Sequence, residues 1–346
     1  IFNQTLFNLE KNKLSYKGVY FGDIIKNKIN LDLFFAMKIF DSRCEAVNSM
    51  LKTLKPYAIL SQFNLAENAA LGYFASKYKI PSILISHGSH IFHKNQYAKK
   101  EHEIMAENIL YDDYNYLFVQ SPFAREMIMQ SQKYSEAQII KIKPTLWGRQ
   151  VNKIKKDNDY INIVHAGTLK YRHSRFYIYE TADEYVDSLK KLCHIIKNFP
   201  KIKLTIKIRP QDYELTFDSL LNLLSPIPNN ITIEYKKTFY EVLKESDLLI
   251  SFSSTTIEES LANQVPVLLF GGNGRYSHIP CNKYLFSDAI NKAVTYIESD
   301  KDLLSYFEKI NSFKKNFNIP YSEFRKYIFE KEEVTNVNDW FVNRKL

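Results

Sequence analysis

The sequence predicts an α/β protein in which each half contains a doubly wound parallel sheet. Short apolar runs, such as residues 83–85 and 267–270, have the length and composition of strands that are buried on both faces. In both halves such runs alternate with segments of helical periodicity, which is typical of parallel sheets covered by helices. A polar, charged stretch at 149–160 separates the halves. The 346 residues provide room for two domains of roughly 150 residues each.

The elements of the first half follow from periodicity and from helix start signals. Ser121 and Pro122 are residue types favoured at the N-cap and at the first position of a helix. The predicted helices are 31–55, 64–79, 101–110 and 121–130, and the predicted strands are 57–60, 82–86, 116–120 and 139–143. The side chains expected to face the core are Leu33, Phe34, Met37, Phe40, Cys44 and Val47 in the first helix and Ala69, Ala70, Tyr73 and Phe74 in the second.

The second half repeats the strand–helix alternation. Its predicted strands are 161–165, 203–208, 231–235, 248–250 and 267–270, and its predicted helices are 182–198, 214–224, 238–245, 285–298, 301–315 and 320–330. We therefore expect a first domain at 1–150, without its first elements, and a second domain at 151–330. The tail at 331–346, which contains Trp340 and Phe341, is expected to pack back on the first domain.

Composition limits the classes of function. A hydrophobic content of 45% with 25% charged residues is that of a globular protein, and the longest apolar runs are far shorter than the ~20 residues of a membrane span. The three cysteines are odd in number and far apart, which argues against a disulfide framework and favours a reducing cytoplasm. The net charge of +9 comes without any nucleic-acid-binding motif, so it favours solvated basic faces and attraction to anionic lipid or phosphorylated ligands.

The most informative stretch is 247–272. An apolar run at 248–250 is followed by the hydroxyl cluster of Ser251, Ser253, Ser254, Thr255 and Thr256, then by a short helix, Pro266 and the strand at 267–270. In such a βαβ unit the helix begins at the crevice beyond the strand ends, where backbone N–H groups attract phosphate. One hydroxyl would be enough to cap the helix, and five exceed that need.

This stretch resembles the donor-nucleotide site of GT-B glycosyltransferases. In that family a Ser/Thr turn precedes a Glu-Ala-Leu-Ala-x-Gly-x-Pro-Val segment, and the chain has Glu259-Ser-Leu-Ala-Asn-Gln-Val-Pro-Val. Ser260 and Gln264 replace the small residue and the glycine of the family pattern. The resemblance implies a GT-B fold, with two Rossmann-like domains facing each other across a cleft. It also implies that Glu259 accepts hydrogen bonds from ribose hydroxyls.

A second resemblance concerns His87, which follows the predicted strand at 82–86. Gly88 allows a sharp turn there. The segment is similar to the Gln-His-Gly turn of bacterial surface-polysaccharide GT-B enzymes and teichoic-acid glycerophosphotransferases, which implies that His87 lies at the reaction centre. The alternative is a strand-end histidine bonded to nearby backbone. His90 and His93 do not give a zinc-site spacing, so no metal site is predicted.

Further candidates also follow predicted strands. Glu67, in the first turn of a helix, would act as a general base or bind acceptor hydroxyls, unless it only complements the helix dipole. Arg209 is favoured over Lys207 for phosphate or carboxylate because its planar fork binds bidentately. Related enzymes carry His-Pro at this point, so Arg209 departs from the family pattern and is selected as a donor-nucleotide residue for its fork alone. The resemblance implies the remaining donor-nucleotide residues: Gly167, Thr168, Ser253, Ser254, Thr255, Thr256 and Glu259. The expected donor-sugar contacts are Gly271, Gly272 and Lys207.

The function that the resemblance implies is transfer of a sugar from a nucleotide-activated donor to a growing surface polysaccharide or a lipid-linked glycan. Capsule or lipopolysaccharide assembly in a bacterium is the expected setting, in the cytoplasm or on the inner face of its membrane. The nucleotide sugar is a substrate, and neither a cofactor, a metal nor a nucleic acid is expected. Three alternatives stay open: a CDP-polyol phosphotransferase, a nucleotide-sugar epimerase of the same fold, and a non-catalytic nucleotide- or glycan-binding module.

Overall fold

The computed structural model describes most of both halves of the chain. The described residues are 15–62, 64, 67–86, 113–131, 134–145, 159–167, 181–208, 217–252, 254–271, 279, 291–312 and 319–343. His87, His90, His93, Thr168, Arg209, Ser253 and Gly272 lie outside these ranges, as does the separating stretch up to residue 158.

A long helix precedes the first parallel sheet. The short strands β1 (Ser15–Tyr16) and β2 (Val19–Tyr20) form a hairpin whose two turn residues have positive φ. Helix α1 (Gly22–Leu54) follows and ends where Lys55 adopts a left-handed conformation and donates its N–H to the Leu51 carbonyl. Pro56 is the next residue, and a proline cannot continue the hydrogen-bond ladder of a helix.

Within the described ranges, the first sheet contains four parallel strands in sequential order. The strands are β3 (Ile59–Ser61), β4 (Ser82–Ile85), β5 (Tyr116–Val119) and β6 (Ile139–Lys141), and the helices α2 (Glu67–Lys77) and α3 (Pro122–Ser131) lie between them in the chain. All three strand pairs are parallel. Ser121 caps α3 as predicted, because its Oγ accepts the N–H of Ala124 at 3.2 Å. A parallel sheet places all carboxyl ends of its strands at one edge.

The second sheet contains six parallel strands in a different order. The strands are β7 (Ile161–Ala166), β8 (Ile202–Lys207), β9 (Ile231–Glu234), β10 (Leu248–Ser251), β11 (Val267–Phe270) and β12 (Val294–Ile297). Their spatial order is β12-β11-β10-β7-β8-β9. If these strands are numbered 1 to 6 along the chain and read from β9 to β12, the order is 3-2-1-4-5-6, which is the strand order of Rossmann-type sheets.

Helices cover both faces of the second sheet. The helices are α4 (Ala182–Ile196), α5 (Phe217–Leu224), α6 (Phe239–Leu243), α7 (Thr256–Ala262), α8 (Asp300–Ser312) and α9 (Tyr321–Phe324). Ile163 and Ile250 pack with α4, α5 and α8 in one core. Val164 and Leu249, which directly adjoin Ile163 and Ile250 on the same strands, pack with α6 and α7 in the core on the other face. This alternation is required by the two-residue period of a strand, and it confirms the doubly wound sheet.

The C-terminal segment contacts the first sheet. Thr335 donates its N–H to the Lys141 carbonyl at 2.8 Å, and helix α10 (Val337–Asn343) follows. Trp340 on α10 is buried, with its ring 4.9 Å from that of Tyr116 and 5.1 Å from that of Phe118, centroid to centroid. Residues at the end of the chain therefore complete a core that begins with β4 and β5.

Three expectations about elements were wrong. Residues 294–297, placed in a predicted helix at 285–298, form the strand β12, because this Val-Thr-Tyr-Ile segment pairs with β11. The predicted helix at 320–330 is limited to one turn, α9. Tyr73 and the three side chains Phe34, Met37 and Phe40 of α1 are exposed rather than inward. The second half of α1 is buried around Val47 and Leu51, which belong to the core of the first sheet.

Candidate functional site

The connections of the second sheet diverge between two neighbouring strands. β7 and β10 are neighbours in the sheet. After β7 the chain moves away from β10 to β8, and after β10 it moves away from β7 to β11. The helix that follows β7, α4, packs on one face of the sheet, and the helix that follows β10, α7, packs on the other. Such a switch point leaves a crevice beyond the carboxyl ends of the two strands, where ligands bind in open α/β sheets.

Gly167 follows β7 at this crevice. A Cβ atom at this position would lie 2.9 Å from Cε2 of Tyr185 on α4 and 3.4 Å from Cε1 of His165. The first of these distances is shorter than a carbon–carbon contact allows. Glycine is therefore favoured here by the packing of Tyr185.

The turn from β10 to α7 contains the predicted hydroxyl cluster. Ser254 acts as a local cap, because its Oγ accepts the Thr256 N–H at 3.3 Å and its carbonyl accepts the Ile257 N–H at 3.0 Å. The Thr255 side chain forms no capping hydrogen bond. Within the described ranges, the buried Oγ1 of Thr256 and Oγ of Ser251 have no hydrogen-bond partner. Among the described hydroxyls of this cluster, that of Ser254 thus serves the helix, and those of Ser251 and Thr256 do not.

Two adjacent carboxylates lie on α7. Glu259, the predicted ribose contact, is partly exposed, whereas Glu258 is buried. Sequence analysis passed over Glu258, because it cannot tell which of two adjacent glutamates faces inward. Partial exposure allows Glu259 to meet a ligand at the crevice.

Lys207 ends β8, the strand next to β7. It is buried, and its Nζ donates to the Ile208 carbonyl at 2.6 Å. Burial lowers the pKa of Lys207, and Glu234, its register neighbour on β9, opposes this. The Glu234 carboxylate accepts the N–H groups of Lys236 and Lys237 at 2.7 and 3.0 Å. These bonds fix the backbone after β9. The bond of Lys207 to the Ile208 carbonyl uses one of its three Nζ hydrogens, so two can be donated to other acceptors.

Gly271 follows β11 and has a φ of 121°. Residues with a side chain rarely adopt this conformation, so the backbone here requires glycine.

His165, the residue before the end of β7, was missed by sequence analysis, which selected Gly167 and Thr168 in the same segment. It is only 5% exposed, and burial lowers its pKa from 6.5 to about 4. Its ring centroid lies 6.0 Å from that of Tyr185, and within the described part of the chain its Nδ1 has no hydrogen-bond partner. The imidazole is therefore neutral at pH 7 in the protein without ligand.

Comparison with solved structures identifies the architecture. UDP-GlcNAc 2-epimerase from Neisseria meningitidis, bound to UDP-GlcNAc, matches with a TM-score of 0.55 at 12% identity over 82% of this chain and 77% of its own. The glycotransferase of kitacinnamycin matches with 0.54 at 14% identity over 89% and 81%. MurG from Acinetobacter baumannii matches with 0.50 at 12% identity over 90% and 79%. The chain has the GT-B fold.

Sequence comparison adds no closer relationship. No protein-family model and no curated protein matches the chain. The GT-B architecture predicted from the sequence is thus confirmed by structure alone.

The carboxyl edge of the first GT-B sheet is polar. The buried polar residues at this edge are Asn64, Ser86, Gln120 and Ser121. Glu67, the second predicted catalytic residue, lies in the first turn of α2, where its carboxylate is 55% exposed and accepts from Arg43 Nη1 at 2.9 Å. This is the geometry of a surface ion pair, which adds little stability. His87 follows Ser86 directly but lies outside the described residues.

A metal site is not apparent in the part of the chain that the structure describes. Among those residues, no group of three His, Cys, Asp or Glu side chains is placed to hold an ion. The predicted independence from metals stays a prediction.

Proposed function

We propose that this chain is a metal-independent glycosyltransferase that transfers a sugar from a nucleotide-activated donor to a growing surface polysaccharide or a lipid-linked glycan. The observation that carries the proposal is the crevice at the switch point between β7 and β10. There Gly167 follows β7, the hydroxyls of Ser251 and Thr256 near the end of β10 are not bonded within the described part of the chain, and the partly exposed Glu259 follows one turn later. This combination suits a nucleoside diphosphate with its ribose.

The chemistry assigned to these residues is electrostatic. Departure of a nucleotide leaves negative charge on a phosphate oxygen, and N–H groups, hydroxyls and an arginine stabilise that charge when they are aimed at it. Gly167, Thr168, Arg209 and the 253–256 turn would supply these donors, with Gly271, Gly272 and Lys207 nearer the sugar. His87 would accept the proton of the attacking acceptor hydroxyl.

An epimerase is the second candidate. A UDP-GlcNAc 2-epimerase bound to its substrate shares the fold over most of both chains, and a UDP complex of MnaA from S. aureus does so with a TM-score of 0.55. Both candidates place a nucleotide sugar in the same crevice, but only the transferase needs an acceptor.

The experiment that tests the proposal is a panel of UDP-, CMP-, CDP- and GDP-sugars incubated with the protein in EDTA. A transferase releases free nucleotide slowly from one donor without acceptor, and an epimerase converts the sugar without consuming it; mass spectrometry and sugar chromatography separate the two products. Binding of the correct nucleotide raises the apparent stability by mass action, about 2.7 kcal/mol at a concentration of 100 Kd. No release, no conversion and no stabilisation with any member would reject both.

Replacement of Glu259 by alanine is expected to weaken binding of that nucleotide by roughly 1–3 kcal/mol, the scale of a hydrogen bond to a charged group. Isothermal titration calorimetry measures the change. Glu308→Ala on the exposed side of α8 is the matched control and should leave the affinity unchanged. Equal affinity of Glu259→Ala and the parent protein, with both folded, would place the ribose elsewhere.

We also propose that the protein attaches to anionic membrane surfaces through the first half of α1. This half and the two residues that follow it expose Leu31, Phe34, Phe35, Met37, Ile39 and Phe40, with Phe34 and Phe35 more than 50% exposed. Such apolar side chains insert into the headgroup region, and the net charge of +9 adds electrostatic attraction. Among the described helices, none is both long enough and apolar enough to cross a bilayer.

Vesicle sedimentation tests this attachment. Binding to vesicles that contain anionic lipid should fall steeply with salt, because salt screens the attraction. The double variant Phe34→Ala/Phe35→Ala should bind less, whereas Tyr321→Ala, which removes an exposed aromatic side chain on α9, should bind like the parent. Equal binding to neutral vesicles, or none at low salt, would contradict the proposal.

A further inference from the structure

The imidazole of His165 is turned toward the carboxyl end of β7. Its Cε1 lies 3.4 Å from the position that a Cβ of Gly167 would occupy. This carbon is bonded to both ring nitrogens, so the edge of the ring that carries the nitrogens faces Gly167. The side chain is buried, and within the described part of the chain its Nδ1 has no hydrogen-bond partner. Such an atom is an exception among buried polar groups and indicates a site for a ligand or for water.

The first turn of α4 reaches the same place. Tyr185, in this turn, has its Cε2 2.9 Å and its hydroxyl oxygen 3.6 Å from the same point beside Gly167. α4 contains 15 residues, and the start of such a helix attracts anions through its dipole and its free N–H groups. The capping box of Thr181 and Glu184 uses two of the four N–H groups that a helix leaves unpaired at its start, so two are outside the box.

The neighbouring strands bring no charge to this ring. The register partners of His165 are Ile206 on β8 and Ile250 on β10, and both are apolar and buried. Lys207, the next residue of β8, points to the other face of the sheet because side chains alternate along a strand, and its Nζ is bonded to a backbone carbonyl. Among the described residues, burial is the cause of the lowered pKa of His165, and no charged group contributes to it.

The described helices on this face also leave the ring without a charged partner. α4 brings the phenol of Tyr185, whose ring centroid lies 6.0 Å from that of His165. The acidic residues of its first turn are Asp183, which is exposed, and Glu184, whose carboxylate is bonded within the capping box. α5 and α8 add apolar side chains and the phenol of Tyr306 to the core. Phenols ionise near pH 10, so neither tyrosine changes its charge between pH 5 and pH 8.

We propose that His165, Gly167 and the first turn of α4 form a phosphate site, and that His165 takes up one proton from the solvent when the site is occupied. A negative charge beside the ring favours the imidazolium, because an opposite charge within about 4–6 Å stabilises the charged form. The imidazolium has two N–H donors, so the unpaired nitrogen gains an acceptor. This inference rests on the proposed function, because the phosphate is that of the donor nucleotide, and it adds a proton to the binding reaction.

Affinity for the phosphate ligand should therefore depend on pH. The bound protein holds more protons than the free protein, so affinity increases as the pH falls. If the phosphate restores the pKa of His165 from about 4 to its ordinary 6.5, affinity should be about 10-fold higher at pH 5.5 than at pH 7.5. Nucleotide sugars are suitable probes, because their phosphates are esterified and lack the second ionisation of a terminal phosphate, near pH 6.

Calorimetric titration with UDP-GlcNAc and the rest of the nucleotide-sugar panel, in buffers of different ionisation enthalpy, counts the protons. The parent protein should take up roughly 0.7 proton per bound molecule at pH 6. His165→Gln, which cannot become charged, should take up none and bind within about 2-fold equally at pH 5.5 and pH 7.5. His194→Gln, an exposed position near the other end of α4, is the matched control and should keep the uptake. Uptake that persists in His165→Gln, or none in the parent, would overturn the proposal.

A second measurement needs neither a nucleotide nor a variant. The imidazole titration of His165 in the parent protein is followed by NMR in sodium sulfate and in sodium chloride of equal ionic strength, since sulfate keeps its double charge across this range. Sulfate should raise the midpoint of His165 by about one pH unit or more and leave that of His194 nearly unchanged. An unchanged His165 midpoint rejects the site. A response to sulfate without binding of any nucleotide sugar would keep the phosphate site and reject the proposed function.

Discussion

Acidification from pH 7 to pH 4 is expected to destabilise the folded protein by about 3 kcal/mol through His165 alone. In the unfolded chain this imidazole is protonated below its ordinary pKa of 6.5, whereas in the fold burial holds the pKa at about 4. Between these values the unfolded state binds more protons than the folded state. The contribution of His165 to the free energy of unfolding is therefore fully present above pH 6.5 and is lost as the pH falls toward 4. Proton uptake at His165 thus favours unfolding.

Urea unfolding at several pH values measures this effect. In His165→Leu, the difference in unfolding free energy between pH 7 and pH 4 should shrink by about 3 kcal/mol, because no titrating group is left there. Ile163→Val is the matched control on the same face of β7. The cavity left by Ile163→Val costs about 1 kcal/mol at every pH. The unfolding free energy of this variant, plotted against pH, should therefore run parallel to that of the parent. An unchanged pH profile in His165→Leu would mean that the imidazole is accessible to protons in the fold.

Replacement of His87 by alanine is expected to lower turnover by ~10²-fold or more, the scale of a lost general base. Affinity for the donor nucleotide should change little, because the nucleotide is assigned to the second sheet. The physical reasons are the position of His87 beyond β4, directly after Ser86, and a side chain that exchanges protons near neutral pH. Steady-state kinetics with the donor found in the panel, together with calorimetry, separates kcat from binding.

His194→Ala is the control, since this exposed histidine lies on α4 away from the carboxyl edges. It should keep parent turnover. If His87→Ala folds and also keeps parent turnover, His87 is structural, and Glu67 becomes the next base to replace. Glu67→Gln would then have to lower turnover although its carboxylate is paired with Arg43.

Element types were predictable where local periodicity decides them. Residues 182–198 and 248–250 were placed correctly to within two residues, because a helix stripe and an apolar run are properties of contiguous sequence. The strand β12 was taken for a helix, because Val294 and Ile297 also fit helical spacing, and only pairing with β11 decides between the two. For α1, periodicity identified a face, but it could not show that the supporting domain ends near Val47.

The candidate site also combines features that local sequence determines with features that depend on the whole fold. Gly167 and the hydroxyl cluster around Thr255 are recognisable from residue type and order in the linear sequence, so they could be predicted without a structure. The strand order that brings β7 next to β10 is a non-local property, and no local pattern contains it. The hydrogen bonds of the buried Gln120 are non-local as well, because its partners Ser86 and Thr145 lie 34 and 25 positions away in the sequence.

The docking of Trp340 on Phe118 affects the order of events during synthesis. A ribosome delivers β4 and β5 early, but the side chain that seals their outer face is made only after the whole second sheet. Nascent first domains are therefore expected to carry an open apolar surface throughout translation of the second half, the condition in which chaperones bind and premature association begins.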